Sequence, residues 1–151
     1  MYLFNPSICR GGEVSGRWNN LLKIQYFMTY KSQLGSFGEN LACKYLVNKG
    51  YKIISRNFLK PWGEIDIIAK APDKILVFIE VKTVRKQSEN GITAEDQLTK
   101  SKLTKLKRTA CLYAGHYPEL IKDDKGWQID LIALTVKEKS VVVKHYKNIA
   151  G

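Results

Sequence analysis

Hydrophobic and polar positions alternate along much of the chain after residue 50, and the alternating stretches predict the strands of a sheet. Residues 51–57 make a first strand. Gly63-Glu64-Ile65-Asp66-Ile67-Ile68-Ala69 makes a second, with Glu64, Asp66 and Ile68 expected on one face. Ile75-Leu76-Val77-Phe78-Ile79-Glu80-Val81-Lys82 makes a third, apolar on both faces until its end, the mark of a central strand. Lys70-Ala71-Pro72-Asp73-Lys74 is short and rich in turn formers, so the second and third strands should form an antiparallel hairpin. Residues 127–134 and 140–146 read as two further strands, the last of them optional.

Helical spacing accounts for the rest. Ser36-Phe37-Gly38-Glu39 has the form of a capping box opening a helix that runs to about Lys49 and stops at Gly50. Phe37, Leu41, Tyr45 and Leu46 are its expected apolar stripe. Thr99 reads as the N-cap of a second helix that buries Leu103, Leu106, Ala110 and Tyr113. The polar stretch from Val84 to Gly91 reads as a long loop of the kind that often forms a lid or binding loop. The expected fold class is α/β, in the order αβββαβ with a possible final strand. Residues 1–30 stand apart as an N-terminal extension, expected to be poorly ordered, with a short docked helix at 20–27 as the alternative. Residues 31–151 form the domain.

The third strand also carries the chemistry. Glu80 and Lys82, at i and i+2, share a face where an apolar strand emerges, and burying charge there is costly without partners. Across the hairpin, Asp66 could meet Glu80. Two convergent carboxylates make a hard-oxygen site suited to Mg2+ or Mn2+. The competing arrangement is a structural ion pair between Asp66 and Lys82.

An Asp on one strand followed by Glu-x-Lys on the next resembles the PD-(D/E)xK nuclease superfamily. The longer ordered set is Gly38-Glu39, Gly50-Tyr51, Asn57, Gly63-Glu64-Ile65-Asp66 and Val77-Phe78-Ile79-Glu80-Val81-Lys82. It resembles the small bacterial YraN-like family, similar in its core to Holliday-junction resolvases, over residues 32–136. The resemblance implies a restriction-endonuclease-like core, a central mixed sheet flanked by helices. It also implies a metal-dependent endonuclease acting on branched or structured DNA. Asp66, Glu80 and the Val81 carbonyl would then hold the metal, and Lys82 would assist the attacking water. Glu39 would complete the site, unless it serves only as the third residue of its capping box. Ile65 stands where the superfamily name has proline. Glu64 would lie outside the ligand set.

Composition agrees with a polyanionic partner. The 151 residues include 25 Lys and Arg against 14 Asp and Glu, a net charge of +11. Lys86, Lys100, Lys102 and Lys105 follow the Glu-x-Lys strand and are the candidate contacts to a nucleic-acid backbone. Lys100 and Lys102 fall in the first turn of the Thr99 helix, where a bound phosphate would offset their conflict with the helix dipole. Cys9, Cys43 and Cys111 are odd in number and widely spaced, and read as free thiols of a cytoplasmic protein. His116 and His145 are too isolated for a metal cluster, and no apolar stretch suits a membrane span. Trp62 and Trp127 read as packing residues, and Asp130 as a core acid with a polar or lysine partner. A homodimer is the form expected of an enzyme that must cut two strands. The alternatives are a non-catalytic nucleic-acid-binding module and a basic adaptor.

Overall fold

The computed structural model describes residues 20–85, 91–122 and 124–151, with side chains from residue 30 onward. Helix α1 (Asn20–Asn48) precedes strands β1 (Lys52–Lys60), β2 (Gly63–Lys70) and β3 (Leu76–Arg85). Helix α2 (Lys100–His116), β4 (Trp127–Val136) and β5 (Val141–Tyr146) follow, with short 3₁₀ turns at Glu95–Gln97 and Pro118–Leu120. The five strands lie side by side in chain order. Only β3 and β4 are parallel, joined by the crossover through α2; the other neighbours are antiparallel. This is the expected α/β restriction-endonuclease-like core, a mixed sheet with a helix on each face.

Strand alternation sorts the core into two layers. Ile67, Ala69, Val77, Ile79, Ile132 and Leu134 pack against Ala42 and Leu46 of α1. Ile68, Leu76, Phe78 and Ile129 pack against Leu106, Ala110, Tyr113 and Ala114 of α2. Two glycines permit the close approach. A Cβ on Gly38 would come within 1.8 Å of the Thr83 hydroxyl of β3, and one on Gly63 within 2.0 Å of the Thr109 hydroxyl of α2.

Several expectations need correction. The helix does not open at Ser36. It is continuous from Asn20, because the preceding residues contain no proline to stop it. The capping box is therefore helix interior, and Glu39 has no cap to make. Phe37 is 48% exposed, outside the apolar stripe. Trp62 is 48% exposed in the β1–β2 turn, whereas Trp127 does pack, edge-on against Phe78. Strand β3 continues through Thr83 and Val84 to Arg85, into what reads as loop by composition. Thr99 caps α2 as expected, its hydroxyl accepting from the Lys102 amide at 3.2 Å. Among the described residues no helix is long and apolar enough to cross a membrane.

Candidate active-site cleft

The β2–β3 ladder runs from Lys70↔Leu76 to Ile67↔Ile79 and stops one pair short of Asp66 and Glu80. Where the strands part, the Val81 amide loses its ladder partner, and the Asp66 carboxylate accepts it at 2.7 Å. Strict alternation also fails here. Ile65 and Ile68, three apart, both enter the α2-side core, so Glu64, Asp66 and Ile68 do not form one face. Glu64 is exposed.

Asp66 is thus a backbone cap and an acid at once. Burial pushes its carboxyl up to about 7, reinforced by the negative charge of Glu80. The Val81 amide and the Lys82 ammonium pull the other way, and Glu39 adds a smaller upward push. The carboxyl groups of Asp66 and Glu80 therefore feel each other, as the pattern Asp then Glu-x-Lys requires.

Lys82 answers part of that repulsion. Its ammonium donates to Glu80 Oε1 and sits 3.4 Å from the Val81 carbonyl oxygen. Both side chains are largely removed from water, Lys82 being 15% and Glu80 12% exposed. A cation already rests against two of the oxygens that could hold a metal. Carboxylate and carbonyl oxygens are the ligand type that Mg2+ and Mn2+ take. Among the described residues no group of three or more His, Cys, Asp or Glu side chains is placed to hold a metal ion. A bound ion would have to draw Glu80 away from Lys82.

Asp66, Val81 and Lys82 open into a cleft of about 1070 Å³ at the C-terminal ends of the parallel strands β3 and β4. Open α/β sheets commonly bind ligands at that edge. One wall is α1, contributing Tyr30, Lys31, Leu34 and Glu39; the other is the segment from Gly91 to Thr99 with Lys102 of α2. Lys31, Lys82, Arg85, Lys102, Lys137 and Lys144 outnumber Glu39, Asp66 and Glu95 around it. An acidic floor beneath basic walls suits a phosphodiester.

The wall formed by residues 91–99 is pinned to the sheet. Glu95 accepts from Tyr146 Oη at 2.7 Å and Lys144 Nζ at 2.9 Å, both on β5. These bonds hold its carboxyl down at about 2. Asp96 caps the turn from within, accepting from the amide and hydroxyl of Thr93.

The structure brings Glu39, Asp66, Val81, Lys82 and Lys102 to one cleft. Glu80 stands just behind Lys82, while Lys100 and Lys105 are exposed on α2 outside the cleft lining. Lys86 lies outside the described residues. Asp130 proves fully buried and takes no lysine: His145 Nε2 lies 2.8 Å away, and Gln128 and the Asn148 amide donate to it. Sequence reasoning missed Tyr30, Lys137 and Lys144, which nothing local marks.

The model of the uncharacterised protein family UPF0102 matches residues 38–143. A UPF0102 protein of Syntrophomonas wolfei is 36% identical over 116 residues, covering 77% of this chain and 96% of its own. One from Campylobacter jejuni is 40% identical over 116 residues, covering 77% and 92%. One from Corynebacterium efficiens is 42% identical over 94 residues, covering 61% and 75%.

Proposed function

We propose that this chain, which belongs to the uncharacterised family UPF0102, is a metal-dependent endonuclease hydrolysing phosphodiester bonds of branched or structured DNA. The observation that carries the reading is the notch at the end of β2 and β3. There Asp66 caps the Val81 amide and lines, with Lys82, a cleft with basic walls, while Glu80, outside the cleft lining, pairs with Lys82. An acid whose proton affinity is raised by burial and by a neighbouring carboxylate is poorly suited to a purely structural role.

Asp66, Glu80 and the Val81 carbonyl would hold Mg2+ or Mn2+, with Glu39 facing them from α1. A divalent ion there supplies charge neutralisation and Lewis acidity to the phosphate. With Glu80 among the residues that would hold the ion, the Lys82 ammonium would be free to hydrogen-bond the attacking water and a non-bridging phosphate oxygen. Such fixed donors stabilise charge that develops in the transition state. Lys102 and the other basic residues of the walls hold the backbone without reading sequence. Cutting two strands would engage two copies of the chain. Cys43 and Cys111 are free thiols, in keeping with the cytoplasmic setting this reading implies.

One observation favours a second reading. Lys82 already offsets Glu80 without a metal, which would serve a non-catalytic nucleic-acid-binding module or basic adaptor equally well. Cleavage of labelled linear, flapped and four-way-junction DNA in Mg2+, Mn2+ or EDTA, beside Glu80→Ala, separates the two. Metal-dependent cutting lost in the variant supports the nuclease. Binding without cutting in every metal supports the module.

A further inference from the structure

Strand β3 does not end at the proposed chemistry. Three residues beyond Lys82 it reaches Arg85, about 10 Å further along the cleft at ordinary strand rise. The Arg85 guanidinium lies over the ring of Tyr30, 5.8 Å from its centroid. Both residues line the cleft, Tyr30 half-buried and Arg85 exposed. Among the described residues no acidic side chain forms an ion pair with Arg85. Ile92, lining the same cleft, is 75% exposed, an apolar side chain left in water.

A paired duplex offers a protein its phosphates and the edges of its bases, while the base faces stay stacked and out of reach. The face of an aromatic ring finds a stacking partner only in a base that has left the stack, and aromatic and arginine surfaces of this kind bind single strands irrespective of sequence.

We propose that Tyr30 and Arg85 form a subsite for an unpaired nucleobase, displaced along the cleft from the scissile phosphate. The cleft would then prefer nucleic acid with a single-stranded segment beside the cut, such as a flap or an opened branch point, to continuous duplex. The position relative to the cut rests on the nuclease reading; the binding of the base does not. The competing role for the pair is to tie α1 to β3, which would affect stability without regard to the substrate.

The test is fluorescence anisotropy in EDTA, using the full chain with a labelled single-stranded oligonucleotide and a blunt duplex of equal length. Tyr30→Leu should weaken single-strand binding about tenfold, the effect of losing one stacked base, and leave duplex binding and the salt slope unchanged. Tyr30→Phe should restore it. An abasic scan of the oligonucleotide against the wild-type chain should show one position with a similar loss, and it needs no variant to fold. Equal losses on both ligands, no loss on the single strand, or a flat abasic scan would overturn the subsite. Cleavage without Tyr30-dependent single-strand preference would sink the subsite and spare the nuclease. That preference without cleavage on any substrate would do the reverse.

Discussion

Replacing Asp66 with asparagine should make the metal-free protein more stable, not less. Asparagine keeps an oxygen for the Val81 amide, so the 2.7 Å bond survives. It removes a buried charge that Glu80 opposes. The carboxyl titrates near 7 in the folded protein against 3.8 ordinarily. The folded state therefore holds the proton more tightly than the unfolded chain between those values, and stability falls as pH rises across them. At about 1.36 kcal/mol per pH interval, ionising Asp66 costs on the order of 2–4 kcal/mol once pH is above 7. Chemical denaturation in EDTA from pH 4 to 8.5 reads this directly. Asp66→Asn should exceed wild type most at pH 8, and the gap should close towards pH 4. Added Mg2+ should stabilise wild type increasingly with pH, because the ligand must lose its proton, and should do little for the variant. A variant less stable than wild type at pH 8, or a gap that ignores pH, would refute the account of Asp66.

Other perturbations test the surrounding architecture. Gly38→Ala forces a Cβ onto the Thr83 hydroxyl and should cost about 1–3 kcal/mol in denaturant unfolding, partly recovered by adding Thr83→Ala. Glu95→Ala removes the acceptor shared by Lys144 and Tyr146, so amide exchange should accelerate across residues 91–99 while the β3 and β4 amides remain protected. Lys102→Glu should weaken DNA binding and flatten its salt dependence by about one phosphate contact, and more than Lys105→Glu, which lies outside the cleft lining. Equal effects of the two lysines would argue against this cleft as the DNA path.

The residues of β2 and β3 declared themselves locally, because a period of two and a double-sided apolar run can be read without knowing the neighbours. The i, i+2 placement of Glu80 and Lys82, the hairpin that brings Asp66 opposite them, and the Thr99 cap of α2 were legible for the same reason. Helix α1 was misread at Ser36 because a capping motif is a start signal only if the chain before it is not already helical. The departure from alternation at Asp66 could not be read either. It follows from two strands parting and one amide seeking a new acceptor, which is a property of the pair. Sequence alone thus determined the order of the elements and which acids and which lysine fall at the open end of the β2–β3 hairpin, since spacing along each strand and the short turn between them settle both. The tertiary structure decided that Lys82 rests against Glu80, that His145 rather than a lysine meets Asp130, and that Tyr30, Lys137 and Lys144 join the cleft. Those depend on contacts between elements far apart in the chain, and no periodicity records them.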